Sequence, residues 1–263
     1  MIVFIYILML ITIPQLLILI DQHLLILSIF LSPIFSFLLV FFFTYLHVPF
    51  FRLLKITPQN RYLNYLNRQM ITLFNHLFLR MKTIQRGSIP YRNRLVIYSN
   101  HTSYADALCV LEMAQIPMAF TPKVSILKIP FINDWILLLG SFPIDRVNPR
   151  KTLENMVTAI KVVKDGQSML MFPEGTIRDR YSEDIENMKA GSFKLALKAQ
   201  ADITVIKISG DIDIRRKIPF YPINRYVDVI DTYAYDDFKS LSTNELAHKM
   251  MEIINQFKGH KDQ

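Results

Sequence analysis

His101 and Asp106, within Ser99-Asn100-His101-Thr102-Ser103-Tyr104-Ala105-Asp106, are the pair of side chains in this sequence best suited to chemistry. An imidazole beside a carboxylate can take a proton from a hydroxyl, while the carboxylate fixes the tautomer and stabilises the imidazolium that results. The two residues are five apart in sequence, about 140° around a regular helix, so they meet only if the backbone turns between them. Leu95-Val96-Ile97-Tyr98 reads as a buried strand and Ala107 to Met113 as a helix. His101 then lies in the turn and Asp106 in the first helical turn, at the strand-to-helix junction where α/β folds gather functional groups. Ser103 and Asp106 fit an S-x-x-D capping box whose carboxylate folds back toward His101. Capping alone would explain the same spacing, leaving His101 an incidental turn residue.

The elements that must hold this pair divide the chain into three stretches, 1–51, 52–94 and 95–263. The 263 residues are 51% hydrophobic and carry a net charge of +8, which excludes a disordered chain and an ordinary soluble one. Residues 1–51 contain one charged side chain, Asp21. Met1 to Ile20 would span about 30 Å as a helix, the thickness of a bilayer core. Asp21-Gln22-His23 breaks the apolar run, and Leu24 to Val48 makes a second span that Pro33 should kink. Ser28, Ser32 and Ser36 offer a small-residue face for the first helix. A signal peptide is the competing reading, opposed by the lack of a basic n-region and of a small-residue cleavage site. The expectation is a membrane-embedded helical hairpin.

Residues 52–94 carry nine Lys or Arg and no acidic residue, the bias of a segment retained on the cytoplasmic side. Both hairpin ends should therefore face the cytoplasm. Tyr62, Leu63, Leu66, Met70, Leu73, Phe74, Leu77 and Phe78 recur at helical spacing, with Arg61, Arg68 and Arg80 between them. This basic amphipathic connector suits an anionic membrane surface, and the same stripe suits a core helix. Nucleic acid is not an expected partner, because no recognition motif is present and the membrane hairpin accounts for the charge.

Residues 95–263 alternate short apolar runs with helical patterns, predicting an α/β catalytic domain with a mixed sheet flanked by helices. The expected strands are Leu95–Tyr98, Met118–Phe120, Ser141–Ile144, Ser168–Phe172, Ile203–Ile208 and Val227–Ile230. Thr152 should cap a helix over Leu153 to Val163 that stops at Gly166, and Ser192 should open the next. Ser242-Thr243-Asn244-Glu245 reads as a capping box opening a final helix. The single cysteine, Cys109, allows no internal disulfide and has the apolar setting of a packed thiol. No cofactor is expected: the six histidines show no metal-ligand spacing, and no G-x-G-x-x-G or P-loop pattern occurs.

Two further strand ends carry polar chemistry, Pro143-Ile144-Asp145-Arg146 and Phe172-Pro173-Glu174-Gly175-Thr176-Ile177-Arg178. Asn100-His101 with Asp106 resembles the NHX4D motif of the glycerolipid acyltransferases, the family containing 1-acylglycerol-3-phosphate acyltransferase. The other two blocks resemble that family's second and third motifs in order and approximate spacing, over roughly Leu95 to Gly210. The resemblance implies transfer of an acyl chain to the free hydroxyl of a lysophospholipid, with 1-acyl-sn-glycerol 3-phosphate giving phosphatidic acid. His101 would act as general base and Asp106 as its orienting group. Loss of either should abolish turnover and leave the fold intact. The resemblance further implies a substrate pocket built from Asn100, Ser103, Lys123, Arg146, Glu174, Gly175, Thr176 and Arg178. Arg146 and Arg178 could fork onto a phosphate, and Glu174 would orient an arginine or the acceptor hydroxyl. The donor is acyl-CoA, acyl carrier protein or acyl phosphate; expected partners are these substrates, membrane lipids and acyl carrier protein.

The chain departs from the family pattern at several places. Ile177 stands where an arginine commonly follows the Glu-Gly-Thr block, with Arg178 next, and Pro143 precedes Ile-Asp-Arg in place of an apolar residue. Lys123 and Pro130 match the intervening region, but Ser125 and Asn133 replace an expected Glu and Gly. The fourth block, Ile203 to Ile208, lacks proline and includes Lys207. These changes bear on the acceptor and leave the chemistry in place, so another lysolipid acceptor is the nearest alternative. A membrane-bound lipid ester hydrolase using Ser99 or water is a second, opposed by the absence of a G-x-S-x-G elbow. A non-enzymatic lipid-binding protein would leave the His–Asp pair unexplained.

Overall fold

A computed structural model describes residues 2–20, 25–129, 132–143, 149–177, 179–211, 214–218 and 220–258. Asp145, Arg146, Arg178 and Pro130 lie outside the described residues. Two apolar helices open the chain, α1 (Ile2–Ile20) and α2 (Leu25–Tyr45), followed by the short α3 (His47–Leu53). α1 packs along α2, and Ser32 and Ser36 of α2 are buried, as the small-residue face predicts. The outward faces stay apolar, with Phe4, Ile11, Leu19, Phe30 and Phe42 exposed. Among the described residues one helical stretch, Phe30–Leu53, is long and apolar enough to cross a membrane; Phe4–Ile20 is shorter. α4 (Arg61–Leu77) starts where Asn60 Oδ1 accepts the Leu63 N–H at 3.0 Å. Its Leu63, Leu66 and Leu73 are buried with Ile2, Tyr6 and Val40 in one cluster. Most of the α4 stripe therefore packs on protein, while Tyr62, Phe74 and Phe78 remain exposed.

The remaining elements are β1 (Met81–Arg86), β2 (Leu95–Ser99), α5 (Asp106–Met113), β3 (Met118–Phe120), α6 (Ile132–Leu138) and α7 (Pro149–Lys164). Then follow β4 (Ser168–Met171), α8 (Lys194–Ala199), β5 (Asp202–Gly210), α9 (Ile214–Lys217), β6 (Ile223–Tyr233) and α10 (Thr243–Gln256). The strands form one mixed sheet in the order β1-β6-β5-β2-β4-β3. All neighbours are parallel except β5 and β6, which are antiparallel. Alternation along β2 divides the core: Val96 and Tyr98 face α7, α8 and α10, and Leu95 and Ile97 face α5. All four are fully buried, and each of the three aliphatic ones, Leu95, Val96 and Ile97, contributes about 1.5–3 kcal/mol of transfer free energy.

Several sequence expectations are corrected. The stretch read as a connector contributes a strand: β1 pairs with β6 from Met81↔Ile223 to Arg86↔Asp228. Its charged, unperiodic sequence hid it, as is common for an edge strand exposed on one side. Ser141 to Pro143 is not a strand. Gly140 has φ +71°, Pro143 has no N–H to offer a ladder, and Ser141 instead accepts the Phe120 N–H through Oγ at 3.0 Å. Thr152 lies inside α7, which begins at Pro149, where a missing N–H does no harm. Gly166, at φ +94°, follows the end of that helix as expected. Ser192 sits within a 3-10 turn, and α8 starts without a side-chain cap. The Ser242–Glu245 capping box is present in full.

Candidate active site

β2 is flanked by β4 and β5, so the chain leaves its C-terminal end at the point where strand order diverges to either side. His101 lies just beyond that end, Phe172 and Glu174 beyond the end of β4, and Asn100 is drawn toward β5. His101 Nδ1 lies 3.2 Å from Asp106 Oδ2. The same oxygen accepts the Thr102 and Ser103 N–H groups, each at 2.7 Å. One carboxylate oxygen therefore faces both the imidazole and the backbone N–H groups of the turn. The box is only half formed, because the Ser103 Oγ accepts from Ala105 N at 3.2 Å and leaves the helix start uncapped by a side chain.

The imidazole stacks on Phe172 at 4.2 Å between centroids with planes 19° apart. With Nδ1 donating to Asp106, the lone pair sits on Nε2, the nitrogen left for a substrate hydroxyl. The His101 side chain is 12% exposed, whereas Asp106 is fully buried. Asp106 Oδ1 is held by Arg225 Nη2 at 2.6 Å. Sequence reasoning missed Arg225; the available signal was an arginine at the apolar-face position of β6, between the buried Ile223 and Val227.

The predicted substrate residues divide. His101, Lys123 and Thr176 line one cavity of 630 Å³, together with Tyr104, Phe172 and Arg180. Arg180, two residues beyond Arg178 and not singled out in the sequence, has its guanidinium 4.9 Å from the Tyr104 ring centroid. Gly175 has φ +75°, a left-handed backbone conformation that glycine adopts without the strain a Cβ would bring. Glu174 is buried, and its Oε1 accepts the His101 backbone N–H at 2.7 Å, tying the β4 turn to the β2 turn. Asn100 also differs, because its amide is consumed by backbone. Nδ2 donates to the Ile208 and Glu183 carbonyls and Oδ1 accepts from Ile208 N, which makes Asn100 a brace between β2 and β5. Ser99 is fully buried beside it, which removes the alternative of a serine nucleophile. Burial pushes the Cys109 thiol up to about 12, against the pull of the nearby Arg225, so it is not a nucleophile either. Among the described residues no group of His, Cys, Asp or Glu gathers as a metal site.

A second cavity, of 340 Å³, is lined by Phe37 and Phe41 of α2, Met70 and Phe74 of α4, Leu108 of α5 and Trp135 of α6. It shares Tyr104, Ala107, Phe120 and Ile126 with the cavity at His101. A polar site thus adjoins an apolar groove that reaches the opening helices.

The sheet thus presents a carboxylate-held histidine at the switch point of its strands, and neither Ser99 nor Cys109 is placed to serve as a nucleophile. The Acyltransferase family profile matches residues 80–225, and the chain belongs to that family. It is 35% identical over 130 residues to the 1-acyl-sn-glycerol-3-phosphate acyltransferase of Borreliella burgdorferi, covering 49% of this chain and 51% of that one. Against the chloroplastic 1-acyl-sn-glycerol-3-phosphate acyltransferase BAT2 of Brassica napus, identity is 32% over 126 residues, 47% and 35% of the two chains. The match thus spans about half or less of the length of these relatives. The crystal structure of the 1-acyl-sn-glycerophosphate acyltransferase PlsC from Thermotoga maritima shares the fold, with a TM-score of 0.58 at 19% identity over 83% of this chain and 95% of that one.

Proposed function

We propose that this protein transfers an acyl chain to the free hydroxyl of 1-acyl-sn-glycerol 3-phosphate, giving phosphatidic acid. The observation that supports it most is His101 Nδ1 held on Asp106 in a cavity that adjoins an apolar groove. Nε2 takes the acceptor's hydroxyl proton while the oxygen attacks the acyl carbonyl of the donor, a thioester or an acyl phosphate. The tetrahedral intermediate collapses, and the imidazolium returns its proton to the departing thiolate or phosphate. Asp106 stabilises the imidazolium between these steps. The acyl chain lies in the groove between α2, α4, α5 and α6. Arg146 and Arg178 are the proposed phosphate partners, and Lys123 and Arg180 lie on the wall of the cavity at His101. No cofactor takes part.

The exposed apolar faces of α1 and α2 support membrane embedding of residues 1–51. The acid-free basic stretch that follows supports a catalytic domain on the cytoplasmic side. Acyl carrier protein is one candidate donor protein. The test is a panel of lysolipids with a labelled acyl donor and the protein in phospholipid vesicles. A terminal phosphate monoester offers three oxygens and nearly two charges, so lysophosphatidate should be used at least about tenfold better than lysophosphatidylcholine. Equal use of the two refutes the phosphate-monoester acceptor. His101→Ala should lower turnover by about 10²–10⁴ with the fold retained; unchanged turnover refutes the base.

A further inference from the structure

β6 runs antiparallel to β5, so its first residues arrive at the end of the sheet where β2 delivers His101. Arg225 is in register with Gly210, the last residue of β5. Its side chain is 1% exposed. Nη2 donates to Asp106 Oδ1 at 2.6 Å and to Thr102 Oγ1 at 3.0 Å, and Nη1 donates to the Asp211 carbonyl at 3.1 Å. Asp106 is therefore a bridge, with one oxygen on the histidine and the other on a buried guanidinium. Thr102 is gripped as well, through Oγ1 by Arg225 and through its N–H by Asp106.

We propose that Arg225 is a positioning and charge-balancing residue for the His101–Asp106 pair. The inference rests on the reading of His101 as base. Two effects follow from the geometry. The guanidinium, anchored on Thr102 and on the Asp211 carbonyl, holds Asp106 Oδ1 through Nη2 and so helps keep Oδ2 aimed at Nδ1. The positive charge also offsets the buried carboxylate. An uncompensated carboxylate beside the imidazole would favour the imidazolium, the form that cannot accept a proton. Other charges face the same group: Glu174 on the His101 backbone, Lys123 and Arg180 on the cavity wall, Asp211 with Lys217 behind Arg225, and Glu112 further along α5. All remain in place when only Arg225 is changed, so a shift on substitution reports the guanidinium.

The experiment uses the full chain in phospholipid vesicles and compares wild type, Arg225→Gln and Arg225→Lys, each checked for folding by circular dichroism. Two readouts are taken against pH: kcat/KM with lysophosphatidate and an acyl-CoA, and the rate at which diethyl pyrocarbonate modifies His101, followed on its peptide by mass spectrometry. The second needs no turnover. In Arg225→Gln the acid limb of the rate profile and the midpoint of His101 modification should both move up by about one pH unit. Its kcat should fall while both KM values stay within about twofold. Arg225→Lys keeps the charge, so the limb should stay at the wild-type position. Its kcat should fall about tenfold or more, because one ammonium cannot span Asp106, Thr102 and Asp211. A folded Arg225→Gln protein with the wild-type limb and midpoint overturns the proposal. Should Arg225→Gln not fold, Arg225→Lys decides: wild-type kcat overturns the inference, and a loss confined to kcat with an unmoved limb supports it. If His101→Ala still turns over, the base reading fails, and the modification midpoint alone decides whether Arg225 is coupled to His101.

Discussion

Asp106→Asn should unfold the protein more readily as well as slow it, contrary to the sequence-based expectation that the fold survives loss of this group. Asp106 Oδ2 accepts two backbone N–H groups at 2.7 Å and faces His101, while Oδ1 accepts from Arg225 at 2.6 Å. An amide has one acceptor oxygen. Placed toward Thr102 and Ser103, it turns its NH2 onto the guanidinium; placed toward Arg225, it turns the NH2 onto two N–H groups. Either way donors meet donors in a fully buried position, and Arg225 loses its counter-ion. Breaking one partner of a buried pair costs about 3–5 kcal/mol, a large part of a net stability of roughly 5–15 kcal/mol. For a chain of this size that lowers Tm by roughly 6–20 °C. The assay is a thermal melt in detergent by circular dichroism and Trp135 fluorescence, with turnover expressed per folded molecule. Pairing Asp106→Asn with Arg225→Met should recover part of the loss, because the orphaned charge goes with its partner. A single variant melting within 2 °C of wild type would show that the buried pair contributes little, and the charge argument would fail.

Three further outcomes are expected. Cys109, with its thiol pushed up to about 12 by burial, should resist iodoacetamide at neutral pH in the folded protein and react once denaturant is added; rapid labelling of native protein contradicts its packing. Leu108→Trp, on the groove wall, should turn terminal methylenes out of the groove at about 0.8 kcal/mol each. Excluding four of them lowers relative use of the longest donors by about two orders of magnitude, and an unchanged chain-length profile would remove the groove as the acyl site. Arg61→Cys should be labelled by an impermeant maleimide only from the cytoplasmic side, and labelling from the other side reverses the topology drawn from residues 52–94.

The sequence by itself determined what local physics can encode. Apolar periodicity located β2, β4 and β5 to within a few residues, and short-range hydrogen bonding determined the turn carrying His101 and Asp106 and the cap at Ser242. These features depend on neighbours within about one helical turn, so residue order is enough to specify them. The tertiary structure decided the roles that depend on partners far along the chain. Arg225 reaches Asp106 across 119 positions and Asn100 reaches Ile208 across 108, distances over which no spacing rule operates. β1 became a strand only because β6 offered its edge, although its own residues carry little strand signal. Glu174 was legible as a functional-type residue, but its task was set by where the β4 turn meets the β2 turn. A buried polar group must find a partner wherever the sheet brings one, and strand order, which residue spacing does not encode, determines which partner that is.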